Sequence, residues 1–310
     1  IVEGSTENEQ IINFYTGRLF KPFWYGNERR IREFKKAVEK SPLHGLPNSK
    51  YAFWQNVENK TLYEFELFTM KSFISIIADL NTGLLDPDTI DKAISVYPRK
   101  VDHERIFSQL TKLIVSDRSI EEFIYSYVPQ DLEYNKLLGE LARLRNITIN
   151  NDWGSPVPED KFLGYKLDHP NVGKLRSRLF KMGYLTFDNG STLYDGEIKS
   201  AIQLFQADHG LNDDGLAGNY TLQAINISPK TRLIQVLVNL ERIRWNDFTE
   251  TSKYILVNQP NFQAYLIENN DVIWQSRIVI GLPEHQTQEF SDVMTHLIIN
   301  PVWHVPRSIS

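Results

Sequence analysis

The hydrophobic period of this chain changes once, and the change divides it. Up to about residue 245 apolar side chains recur at intervals of three and four; after Thr251 they alternate. A chain patterned this way builds helices first and a β structure last, so the expected class is multidomain α+β. Its 310 residues exceed the ~250–300 at which single cores stop growing, and two or three domains are expected. With 41% hydrophobic and 24% charged residues, the composition excludes a disordered or coiled-coil chain.

The first region, 1–155, reads as helical. Phe73, Ile76, Ile77 and Leu80 share one helical face, Gly83 stops that helix, and Asp86-Pro87-Asp88 turns into a new stripe at Ile90 and Ile94. Asp131 to Leu144 repeats the pattern through Leu137, Leu138, Leu141 and Leu144. Gly154, Pro156 and Pro158 then mark a linker. The second region, 161–230, reads as three short helices. Val172, Leu175, Leu179 and Met182 lie on one face before Gly183; Ile198, Ala201, Ile202 and Phe205 lie on another before Gly210; a third helix begins near Thr221. A connecting helix, 231–250, carries Leu233, Val236, Leu237, Leu240 and Ile243.

From Thr251 the expected strands are Tyr254–Asn258, a run in which Phe262, Ala264 and Leu266 alternate with polar neighbours, Val272–Ile280 and Thr295–Asn300, with Asn269-Asn270-Asp271 as a hairpin turn. About four strands are too few for an independent sheet with one apolar face. Either this sheet packs on the preceding helices or the chain continues past Ser310; the second is the expectation.

The formal charge of −5 supplies no basic field, so nucleic acid is not an expected partner. No apolar run approaches the ~20 residues of a membrane span. With no cysteine, disulfides, Cys-ligated zinc and thiol chemistry are absent from these 310 residues. No leader precedes Ile1, so a signal peptide, if the protein has one, is expected to have been removed or not included. The histidines, His44, His103, His169, His209, His285, His296 and His304, show no H-E-x-x-H spacing or other short metal-binding cluster, and none is expected to hold a metal. Serine-transpeptidase, nucleophile-elbow, P-loop and dinucleotide motifs are missing, so no cofactor is expected.

The second region resembles the three-helix peptidoglycan-binding domain. The matching residues are Tyr194-Asp195-Gly196, Ile198-Lys199, Ala201-Ile202, Phe205-Gln206, His209-Gly210-Leu211, Asp214-Gly215, Gly218 and Thr221-Leu222. Most of these have structural work: Gly210 and Gly215 suit positive φ, Phe205 and Leu211 belong in a core, and Asp214 holds a loop. Tyr194, Gln206 and Asp214 are the candidates for touching a ligand. The last region, with the helix that leads into it, is similar to the YkuD-type catalytic domain of the large periplasmic L,D-transpeptidases, which a helical scaffold precedes. The carriers are Asn239-Leu240-Glu241-Arg242, Arg244-Trp245, Ile255-Leu256-Val257-Asn258, Phe262, Tyr265, Arg277-Ile278-Val279-Ile280-Gly281, Pro283, Gln286-Thr287, Phe290-Ser291 and Asn300-Pro301-Val302-Trp303 with Val305-Pro306. Weaker matches, His44-Gly45-Leu46, Ala78-Asp79-Leu80, Gly83, Leu85-Asp86-Pro87, Pro129, Tyr134 and Leu141-Ala142, reach into the first region.

This resemblance implies a helical scaffold at 1–155, a peptidoglycan-binding domain at 161–230, the connecting helix at 231–250, and the first part of a catalytic β domain at 251–310. It implies a periplasmic enzyme that cross-links peptidoglycan, with stem peptides and glycan as partners. In that family a cysteine thiolate attacks the carbonyl of an L,D-amide, and an amine from a second stem resolves the acyl-enzyme. The family's Ser-His-Gly-Cys-x-Arg segment is absent here, so no catalytic residue is assigned; it is expected beyond Ser310, and these residues alone are expected to be inactive. Trp303 and Tyr265, near strand ends, are candidates for lining the cleft, although a Trp between two prolines more often packs as a plug at a sheet edge. The alternative is a non-catalytic peptidoglycan-binding adaptor. A zinc peptidase carrying the same small domain would need a histidine set that the chain lacks.

Overall fold

In the computed structural model, residues 7–56, 61–90, 100–114, 116, 118–130, 132–150, 153–245, 253–269, 271–282, 284–300 and 302 are described. The helices are α1 Glu7–Gly17, α2 Glu28–Lys40, α3 Leu62–Thr82, α4 Pro87–Ile90, α5 His103–Leu113, α6 Ile120–Tyr125, α7 Leu132–Asn150, α8 Pro170–Met182, α9 Gly196–Asp208, α10 Asn219–Asn226 and α11 Pro229–Trp245. The strands are β1 Lys253–Asn258, β2 Gln263–Glu268 and β3 Asp271–Arg277. They fall into two compact units, one within 1–85 and 99–245, the other within 86–98 and 246–310. The class is multidomain α+β, as the change of period predicts.

The first unit is organised on α3. Its stripe of Phe73, Ile76, Ile77 and Leu80 is fully buried. A reciprocal capping box starts the helix, with Glu64 N–H donating to Thr61 Oγ1 and Thr61 N–H donating to the Glu64 carboxylate at 2.8 Å. Aromatic rings fill the space around it: Trp24 meets Phe73 edge-on at 5.2 Å, and Phe34 stacks on Phe53 at 4.9 Å. Glu66, also buried, accepts from Trp24 N, Tyr25 N and Tyr15 Oη, so a charge inside this core closes the loop before α2.

Helices α7 and α11 pack through Tyr134, Leu141, Leu144, Val236 and Leu240, with Trp153 beside them. The start of α7 meets the end of α11, since Arg244 Nη2 donates to Tyr134 Oη at 2.9 Å; the pair is therefore antiparallel. The helix read from sequence as a connector at 231–250 is thus packed on the helical scaffold as far as Trp245. Its internal stripe of Val236 and Leu240 has the scaffold as its partner.

Between those helices the chain builds a separate small core from Val157, Leu163, Val172, Leu175, Leu179, Tyr194, Ile198, Ile202, Phe205, Leu222 and Ile225. Gly183 in the left-handed region (φ +92°) ends α8, and Gly210 (φ +66°) follows α9, where glycine stops are expected. Short bridges, Leu163 to Ala217 and Asp168 to Leu193, tie the loops together. Arg178 donates to the carbonyls of Trp153, Gly154, Ile225 and Ile227, gathering the two ends of this core.

In the second unit α4 begins at Asp86-Pro87, where Thr89 N and Oγ1 both donate to Asp86 O. Ile94 lies outside the described residues. The strands form an antiparallel meander in the order β1-β2-β3. Three strand expectations need correction. Phe262 precedes β2 rather than belonging to it; it ends a 3₁₀ turn at φ +57° with its ring half exposed. A bulge at Leu266/Ile267 shifts the alternation, so Ala264 and Ile267 are the buried pair. The third strand stops at Arg277 rather than Ile280, and Thr295–Asn300 has no strand structure. A β-prone run becomes a strand only with a hydrogen-bonding neighbour, and none of its described residues has one; Leu297 and Ile299 stand about 80% exposed.

Candidate functional site

The peptidoglycan-binding candidates converge on one loop. Gln206, buried on α9, shares its Nε2 hydrogens among Asp214 Oδ1, Leu216 O and Thr221 Oγ1, all at 3.0–3.1 Å. Its Oε1 accepts from Gly215 N at 2.9 Å. Tyr194, also buried, donates to Gly215 O at 2.9 Å. Asp214 accepts from Leu216 N and Asn212 Nδ2, and the Leu216 N–H above all holds its carboxyl below the usual carboxylate range. Burial pushes the Tyr194 phenol up, and the Asp214 charge adds to the effect. Gly215 sits at φ +73°, and a Cβ there would lie 2.8 Å from Lys199 Cγ. Tyr194 and Gln206 are therefore inside, holding the 212–218 loop in shape, and Asp214 is at its surface.

A second polar cluster gathers residues scattered over two hundred positions. Arg244 on α11 is buried and donates to His44 O, to Tyr134 Oη and, at 3.2 Å, to Glu241 Oε2. Glu241 Oε1 accepts from Leu85 N at 2.7 Å and from Trp245 Nε1 at 3.2 Å. His44 stacks on Tyr125 at 4.8 Å, and burial, then Arg244, pull its pKa down to about 4. Asp79, one turn before the Gly83 stop, accepts from Tyr51 Oη at 2.5 Å and Lys50 Nζ at 2.6 Å. At Gly83, φ +93°, a Cβ would stand 2.7 Å from Glu241 Oε1. Of the weaker matches in the first region, His44, Gly45, Gly83, Leu85 and Tyr134 thus meet α11. The apolar stripe of this helix leaves out Glu241 and Arg244; the sequence singles them out only as carriers of the resemblance, and their i, i+3 spacing suits an ion pair.

In the β unit, Tyr265 is half-buried on β2, opposite Leu256 and Gln275, and its hydroxyl accepts from Asn261 Nδ2 at 2.7 Å. Gly281 N donates to Thr287 Oγ1 at 2.8 Å, closing the loop that holds the exposed His285. Trp303 and His304 lie outside the described residues. Among the described residues no three His, Asp or Glu side chains converge as a metal ion would need, and no helix is long and apolar enough to cross a membrane.

A helical scaffold, a three-helix core inserted between two helices, and an antiparallel meander define a multidomain α+β protein. Comparison with family models matches each part: a scaffold domain over 9–141, a peptidoglycan-binding domain over 168–225, and the YkuD L,D-transpeptidase catalytic domain over 252–310. Together these matches support a YkuD-type L,D-transpeptidase with peptidoglycan as partner and a role in cell-wall cross-linking. No curated protein matches it.

Proposed function

We propose that the protein cross-links peptidoglycan in the periplasm, in the biosynthesis of the wall and the upkeep of cell shape. The reaction is acyl transfer through a cysteine thioester. The thiolate adds to the carbonyl of an L,D-amide, the terminal D-amino acid leaves with a proton, and the amine of a second stem displaces the thiol to form the cross-link. The observation that carries this reading is the order of matches on one chain, scaffold, wall-binding unit, then catalytic domain. The nucleophile is assigned to sequence outside these residues, since they contain no cysteine. The domain boundaries proposed are a helical scaffold at 1–155, the wall-binding unit at 161–230 and the catalytic β domain from 251. Within the wall-binding unit, Tyr194 and Gln206 act by shaping the loop that Asp214 presents, and Tyr265 and Trp303 are proposed for the substrate cleft.

The experiment is a D-amino-acid exchange or cross-linking assay on disaccharide-tetrapeptide. These 310 residues alone are expected to give no turnover. Turnover by them would remove the thiol from the mechanism. A second reading, a non-catalytic adaptor, draws on the same absence of cysteine. The coding sequence after Ser310 separates the two: a Ser-His-Gly-Cys-x-Arg segment supports the enzyme, a stop codon the adaptor.

A further inference from the structure

Beside the loop held by Tyr194 and Gln206 lies an edge whose exposed side chains the fold does not require. The segments around Leu163 and Ala217 cross there, paired by Leu163 N to Ala217 O at 3.2 Å and Ala217 N to Leu163 O at 2.9 Å. The next residues, Gly164 to Leu167, form a tight turn closed by Leu167 N to Gly164 O at 3.1 Å. Lys166 is the only residue of that turn with positive φ, at +68°, which makes it a type II turn with lysine where glycine is favoured. A strained non-glycine residue of this kind points to a use for its side chain. The backbone explains nothing about the choice, since Lys166 is anchored through its N–H to Tyr194 O at 2.8 Å.

The side chain does have a place. The Lys166 ammonium stands 5.5 Å from the centre of the Tyr165 ring, and Lys199, reaching over from α9, stands 5.9 Å from the same ring. Tyr165 is 54% exposed and Phe162 is 58% exposed. The Phe162 ring lies along Gly164, where a Cβ would come within 3.1 Å of it, and along Gly218. Neither lysine meets a carboxylate among the described residues. Asp214, on the neighbouring loop, has its oxygens engaged by Gln206, Leu216 and Asn212.

We propose that Phe162, Tyr165, Lys166 and Lys199 form the surface by which this unit grips the wall, at the junction where a stem peptide leaves its glycan strand. The inference rests on the peptidoglycan-binding reading of the unit. The two rings offer flat apolar area to sugar faces, and the ammonium groups meet stem-peptide carboxylates. The buried Tyr194 and Gln206 are positioning residues for the neighbouring loop.

The test is co-sedimentation of the full chain with purified sacculi, intact or stripped of stem peptides by an amidase. Lys166→Gly is the decisive variant, because glycine suits φ +68° and thermal stability should hold or rise. Its retention on intact sacculi should fall about three-fold, and the difference should vanish on stripped glycan. Tyr165→Ala should lose roughly ten-fold on both. If both variants melt and sediment like the wild type, the surface is wrongly assigned. If the wild type itself fails to sediment, the peptidoglycan-binding reading falls, and this proposal with it.

Discussion

His44 shows how far the fold can move a single side chain. Stacked on Tyr125 and faced by Arg244, it is held neutral with a pKa of about 4. Unfolded, it titrates near ~6.5, so the unfolded chain binds the extra proton between those values. The stability that a neutral His44 contributes is complete above about pH 6.5 and is lost as pH falls toward 4, by roughly 2–3 kcal/mol. Burial lowers the pKa of His209 as well, which adds in the same direction. Thermal melts across that window should therefore be flatter for His44→Gln than for the wild type; parallel curves would show that His44 does not titrate this way. Glu241 is the other telling residue, because three donors depend on its carboxylate: Leu85 N, Trp245 Nε1 and Arg244. Glu241→Ala leaves Arg244 buried without its carboxylate, and equilibrium urea unfolding should show a loss of about 3 kcal/mol or more. Neither residue is legible as buried in the sequence. A polar residue inside a helix reads as a solvent-facing one until the partner helix is known.

At the scale of elements, the helices were readable because their stripes and stops agree. The stripe of α3 ends at Gly83, and that glycine lies against Glu241 and Trp245 of α11. Gly83→Ala would put a methyl group at φ +93° against Glu241 and Trp245, and far-UV melting should report a loss of about 2–3 kcal/mol. Gly17→Ala, in open space at the end of α1, should be neutral within about 0.5 kcal/mol in the same assay. The strands were less readable. The hairpin at Asn269 was plain from its turn residues, whereas the bulge at Leu266/Ile267 and the unpaired state of Thr295–Asn300 were not. Helical hydrogen bonds close within four residues, but a strand's bonds depend on a partner that local sequence does not name.

For the whole chain, the small core is an insertion between two scaffold helices. Because α7 and α11 run antiparallel, the end of α7 and the start of α11 lie at the same end of the pair. Replacing residues 157–227 by a short Gly/Ser linker should therefore leave the scaffold folding cooperatively, with α11 still seated, while sacculus retention is lost. Circular dichroism and co-sedimentation read the two halves of that expectation separately. A scaffold that fails to fold would show the small core to be part of its support.

From sequence alone came the order of the parts, the helix stripes with their glycine stops, and the family that those motifs resemble. These rest on short-range geometry, the period of the side chains and the φ that a glycine permits. Tertiary structure decided that the connecting helix packs on α7, that Glu241, Arg244 and Glu66 are interior polar residues, and that Tyr194 and Gln206 hold a loop from within. Each of those depends on residues tens to hundreds of positions apart meeting in a space from which water is excluded. There a polar group must find a partner or unfold the site, and no local pattern records which partner it finds.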